Sequence, residues 1–279
     1  MTAYKDACRG EVEALKPGNV HRFADGHRMT AAQFLESAEI TGDPISQPGC
    51  SVGRRILDAA AATRSKIGAN TNLGILLLCA PLAKAAEGKV RDLRESLADV
   101  LEGLTPADAR DVFGAIRLAN PGGLGKAEKH DVSEEPSVSL LEAMREASHR
   151  DLIARQYDNG FDDIFSIGFA AHAQAVSGGE HGMWPTVFIY LRFLSSFPDS
   201  HVARKHGSAL AEDIRNEAEE IHRQVRNMRT LSEREKALLD FDRRLKERSV
   251  NPGTSADLTV ATLFGVSINF ILHNREVNG

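Results

Sequence analysis

The chain has 279 residues, 42% hydrophobic and 26% charged, with a formal net charge of −5. That is ordinary globular composition, long enough to bury a full core as one domain or two closely joined ones. The negative total argues against a dominant nucleic-acid surface, while local cations still allow a small anionic ligand.

At the N-terminus, MTAYKDACRGEVEALK is charged throughout, which is not a signal-peptide pattern. Tyr4, Cys8, Val12 and Leu15 recur every three or four positions and predict a helix over 3–15, stopped by Pro17-Gly18. Thr30 with Gln33 has capping-box spacing and opens the next helix before Phe34 and Ala38. The loop between them, 16–29, carries Lys16, Asn19, His21, Arg22, Asp25, His27 and Arg28, far more charge than a connector needs. Residues 40–51 read as a further break. Helices are then expected from about Val52 to Lys66 and from about Leu73 to Ala86, with Cys79 a small core residue of the second. The KIGANTNLG between them is polar for a buried connector.

Thr105, Pro106 and Asp108 give an N-cap, a first-turn proline and an acidic third position. Their helix runs to a long loop, ANPGGLGKAEKHDVSEEPS. Ser139 with Glu142 caps a helix through LLEAMREASHRDLIARQY, and FDDIFSIGFAAHAQAV follows a break at 158–160. TVFIYLRFLSSF reads as helix, although its β-branched and aromatic residues also suit a strand. A long amphipathic helix from His201 is interrupted near Gly207, Ser232 with Glu235 caps another, and Thr254 with Asp257 has box spacing before LTVATLFGVSINFIL. About ten helical patterns and no convincing alternation predict an all-α, single-domain multi-helix bundle over 1–279, its polar loops at helix ends. Isolated Cys8, Cys50 and Cys79 indicate a reducing compartment, and no apolar run looks long enough to span a bilayer. The expected setting is cytoplasmic, without membrane or nucleic-acid partners.

Each polar break alone needs only helix capping to explain it; together they suggest one phosphate or nucleotide site. Helix ends offer orphan N–H groups to anions. Asp25, Asp131 and Asp257 lie in or beside breaks, where carboxylates hold hydrated Mg²⁺. Lys16, Lys126, Lys129 and Lys205, with Arg54 and Arg55, are candidates for phosphate oxygens. GGLGKAE lacks P-loop spacing, and no close pair such as HExxH marks a zinc site.

Seven pieces in order carry a resemblance: KPGNV at 16–20; DGH at 25–27 with FLESA at 34–38; NT at 70–71 with Gly74; GGLG at 122–125 with HDV at 130–132; LLEAMREASHRDLIARQY; ARKHG at 203–207; and NPGTSADLTVATLF at 251–264. The chain resembles the triphosphoribosyl-dephospho-CoA synthase family over nearly its whole length. The resemblance implies transfer of the triphosphoribosyl group of ATP to the ribose 2′-hydroxyl of 3′-dephospho-CoA, with release of adenine. It implies Mg²⁺ with ATP as substrate, and a carboxylate facing the oxocarbenium-like sugar. Asp25, His130, Asp131 and Asp257 become catalytic candidates, and the three aspartates metal candidates. Lys16, Asn19, His27, Arg54, Asn70, Asn72, Lys129, Lys205, Thr254 and Ser255 become substrate or phosphate candidates. Partners are then nucleotide and CoA-like or cofactor-precursor small molecules, with a homodimer open.

The departures are local. NTNLG stands where NTHKG is expected, so Asn72 and Leu73 remove a proton donor and a phosphate contact. ILDAAAATRSK lacks an expected glutamate near Ala59, with Asp58 beside it. A divergent branch with another donor or acceptor in one-carbon cofactor biosynthesis (tetrahydromethanopterin or methylofuran) is one alternative. A noncatalytic nucleotide-binding scaffold is the other.

Overall fold

Start signals in the sequence set most helix boundaries. In the computed structural model, residues 1–88, 92–122, 125 and 129–278 are described, side chains to 274, so Lys126 lies outside them. Helix α1 (Thr2–Glu13) leads to α2 (Ala31–Ser46), opened by the Thr30–Gln33 box. Next come α3 (Val52–Lys66), α4 (Leu73–Ala85), α5 (Leu93–Glu102) and α6 (Pro106–Ala119), the last opened by Thr105 and Asp108. Then follow α7 (Leu140–Ala147), boxed by Ser139 and Glu142, α8 (Leu152–Asp158), a π-helical stretch (Asp163–Gly168), and α9 (Phe169–Ser177). The last five are α10 (Trp184–Ser196), α11 (Ser200–His206), α12 (Ser208–Asn227), α13 (Leu231–Glu247) and α14 (Gly253–Asn278). The fold is an all-α, single-domain multi-helix bundle; among the described residues only two isolated bridges, His21–Ala24 and Gly26–Met29, interrupt the helical pattern.

Several expectations are corrected. The break at 40–51 begins late, because α2 continues through Pro44 while burying Thr41, Gly42 and Ile45. The helix expected through LLEAMREASHRDLIARQY is two helices: Asp151 turns its Oδ1 onto the N–H groups of Ile153 and Ala154 and starts α8 afresh. Helix α13 is boxed by Thr230 and Glu233, two residues before the expected Ser232 and Glu235, since both pairs satisfy the same spacing. Gly207, at φ 94°, separates α11 from α12 as expected.

Helix α14 is long and apolar enough by composition to cross a bilayer over Gly253–Asn274, contrary to the sequence expectation. Here it is a core element. Leu258, Val260 and Ala261 are fully buried, and Tyr4 of α1 meets Phe264 edge-on at 5.8 Å between ring centroids. Its apolar surface is thus largely matched by α1, α4 and α10. A second buried cluster, with Tyr190, Leu191, Phe241 and Leu245, forms around α10, α12 and α13. The ends of α4, α6, α11 and α14 and loop 16–29 converge on one cavity.

Candidate functional site

Loop 16–29 is held mainly by partners distant in sequence. Lys16 is fully buried, its Nζ 2.8 Å from the Glu11 carboxylate, and it donates to Asn19 Oδ1 and the Val20 carbonyl. The Gly18 N–H donates to Asp242 at 2.8 Å, Asn19 Nδ2 to Asn251 Oδ1 at 2.9 Å, and Tyr190 O–H to the Pro17 carbonyl at 2.6 Å. His27 and Arg28, at φ 55° and 63°, make a tight left-handed turn inside the Gly26–Met29 bridge. That turn sends His27 Nε2–H to the Gly18 carbonyl at 2.8 Å. Burial, followed by Lys205 and Lys246, pulls the His27 imidazole below its usual range despite that bond.

Lys16 is therefore tied to Glu11 rather than offered to a phosphate. Burial lowers its pKa and raises that of Glu11, each partner opposing the shift. Lys16→Met should leave a buried uncompensated carboxylate and cost about 3 kcal/mol. Thermal denaturation checks this, and adding Glu11→Gln should restore much of the loss.

The start of α14 is organised by Asp199. This buried carboxylate accepts from the N–H groups of His201 and Val202, at 2.9 and 3.1 Å, and from Ser255 N and Oγ, at 2.7 and 2.8 Å. One side chain thereby fixes the first turns of α11 and α14. The Thr254–Asp257 box is absent. Thr254 Oγ1 accepts from His201 N–H at 3.2 Å and bonds Ser200 Oγ at 3.0 Å, leaving Asp257 unused for capping.

Asp257 has no hydrogen-bond or ion-pair partner among the described residues, and it faces the cavity. Burial, then the nearby Glu11, Asp199 and Asp151 carboxylates, push its carboxyl well above the usual range, with Arg204 opposing. Gly74 of α4 makes room for it: a Cβ there would lie 2.0 Å from Asp257 Oδ2.

The cavity measures about 670 Å³, within the size range of small-molecule sites. It gathers Asn19, His27, Asn70, Asn72, Lys129, His130, Asp131, Lys205, Thr254 and Asp257 from the sequence candidates. Asp25, Lys16, Arg54 and Ser255 are not on its lining. Asp25 is exposed and accepts from the Ala31 N–H at 2.9 Å, at the start of α2. Arg54 is exposed and paired with Asp58 at 2.7 Å; Ser255 is buried on Asp199. Arg55 is also buried, donating to the Ile45 carbonyl and pairing with Glu87. Asn70 Oδ1 accepts from Leu73 N–H, and Asp131 Oδ1 from Ser133 N–H and Oγ–H.

Sequence reasoning missed Glu11, Asp151, His201 and Arg204, all on the lining, and the supporting Asp199 and Asp242. The Asp151–Arg204 pair, at 3.1 Å, joins the start of α8 to α11. Only its position before an apolar helix hinted at Asp151 as a cap; nothing in the spacing linked it to Arg204.

A cavity of small-molecule size, walled by helix ends from across an all-α bundle, sets charged side chains among apolar ones. The family profile of ATP:dephospho-CoA triphosphoribosyl transferase matches residues 1–274. The chain belongs to this triphosphoribosyl transfer family. A solved structure from Archaeoglobus fulgidus, of a protein proposed to be a triphosphoribosyl-dephospho-CoA synthase, is similar to it. The two share 27% sequence identity and a TM-score of 0.65, over 84% of this chain and 98% of that one. No curated protein matches the chain.

Proposed function

We propose that the protein transfers the 5-triphosphoribosyl group of ATP to the ribose 2′-hydroxyl of 3′-dephospho-CoA and releases adenine. The observation that carries this reading is Asp257, an unpartnered carboxylate inside the cavity where the family motifs meet. The acceptor oxygen attacks the ribose anomeric carbon as the bond to adenine N9 breaks. The bonding pair leaves with adenine, and the hydroxyl proton ends on the released base. Positive charge develops on the sugar as that bond loosens, and a carboxylate beside it stabilises this charge. The same charge favours the ionised form of Asp257, against the burial that raises its pKa. His130 and Asp131 on the lining are the candidates for moving protons.

No group of three His, Cys, Asp or Glu among the described residues gathers to hold a metal alone. The cavity carboxylates nevertheless fit Mg²⁺ carried by a triphosphate, which needs only one or two protein carboxylates. Asp131, on the lining, is the candidate that would hold it, with Asp257 left to face the sugar; Asp25 lies off the cavity. Bound there, Mg²⁺ would supply charge neutralisation for the phosphates.

A second reading keeps the chemistry and changes the acceptor. Its support is Asn72 and Leu73, both cavity-lining, where the family resemblance leads one to expect histidine and lysine. Chromatography of ATP–Mg²⁺ incubations tests both readings. The first expects free adenine and a triphosphoribosylated product only when 3′-dephospho-CoA is present. Folded, ATP-binding protein that yields neither with this acceptor overturns the first reading and leaves the second.

A further inference from the structure

Two of the cavity-lining residues, Asn72 and His201, carry a buried side-chain nitrogen with no partner. Asn72 also borders a separate small void beside Thr63, whereas His201 belongs to the main cavity alone. Its backbone is fixed by Asp199 and Thr254, and Gly253 packs against the ring: a Cβ there would lie 3.2 Å from His201 Nδ1. The imidazole is therefore held in place with Nε2 unsatisfied. A buried polar group in that condition costs stability unless a ligand completes it.

Its surroundings favour an anion. Beyond burial, His201 is acted on chiefly by basic residues, Lys205, Arg204, His27 and His206. Arg204 is matched by Asp151, but Lys205 has no ion-pair partner among the described residues and extends past Gly122 on the cavity lining. Asp257, by contrast, is surrounded chiefly by carboxylates. The cavity thus gathers basic residues of α11 and loop 16–29 about His201 and carboxylates about Asp257. Burial and then the nearby cations hold the His201 imidazole down at about 3, so it is neutral near pH 7 and able to donate through Nε2–H.

We propose that His201 is a substrate-contacting residue whose Nε2–H donates to the polyphosphate chain of the nucleotide, in a subsite it forms with Lys205 and His27. This rests on the nucleotide reading above and adds an orientation to it: phosphates on the α11 side, the reacting sugar toward Asp257. Lys205 supplies the mobile charge, and His201 the fixed, uncharged hydrogen bond.

Calorimetric titration of the full chain with inorganic triphosphate, and separately with adenosine, tests the subsite. His201→Leu should weaken triphosphate binding at least about tenfold, while adenosine affinity stays unchanged and the melting temperature does not fall. His201→Gln, which retains an N–H donor, should recover part of the loss. Should His201→Leu fail to fold, His201→Gln and the surface change Lys205→Met carry the test. His201→Gln must then weaken triphosphate measurably, though less than Lys205→Met does, and neither may alter adenosine binding. Unchanged triphosphate affinity in His201→Leu, equal weakening of both ligands, or no triphosphate binding by the wild type would overturn the proposal. Failed adenine release with this binding pattern intact would instead count against the reaction and leave the subsite standing.

Discussion

Asp257→Asn is expected to lower acceptor-dependent adenine release by about 10²–10³-fold while making the folded protein no less stable. The two effects have one cause. The carboxylate lacks a partner among the described residues and sits near Glu11, Asp199 and Asp151, so burial makes its ionised form costly. An amide of the same shape removes that cost and with it the charge proposed to face the sugar. The pH dependence fixes the sign. Because the folded-state pKa is raised, Asp257 contributes stability that is fully present below the unfolded value, about 4. That contribution is lost as pH rises through the folded value. The melting-temperature advantage of Asp257→Asn should therefore grow on going from acid toward neutral pH. Loss of activity with a lowered melting temperature at every pH would make Asp257 a structural residue instead.

The helices were more legible than the directions of their loops. Capping boxes at Thr30, Thr105 and Ser139 act over three residues, and the sequence located them correctly. Thr254 and Asp257 have the same spacing, but Asp199, from another helix end, accepts the hydrogen bonds from Ser255. Local spacing contains no trace of that competitor. Loop 16–29 shows the same limit. Its charge density marked a place under constraint, yet Lys16 and His21 face Glu11 and Asp242, and only residues such as Asn19 and His27 reach the cavity. His201 stands in a segment whose pattern reads as an amphipathic helix, and the packing of its ring depends on Gly253, brought beside it by the fold. Charge patterns can thus identify a constrained loop without telling which members satisfy the protein and which remain for a ligand.

Gly74→Ala should be among the most damaging single-methyl additions to the site, because the glycine gives Asp257 its space. The added Cβ would meet Oδ2 at 2.0 Å, Cγ at 2.5 Å and Ile153 Cδ1 at 2.8 Å. Contacts this short cannot stand, so Asp257 or the first turn of α4 must move. Such overpacking costs about 1–3 kcal/mol, and a displacement of about 1 Å in a catalytic group costs on the order of 10²-fold in rate. Melting temperature and adenine release, measured on the same preparation, read the two consequences. The pair with Asp257→Ala identifies the contact. If carboxylate crowding is the cause, Gly74→Ala should cost at least about 1 kcal/mol less stability in the Asp257→Ala background than in the wild type. Equal costs in both backgrounds would place the strain on Ile153 and α4, and would remove Gly74 from the account of how Asp257 is positioned.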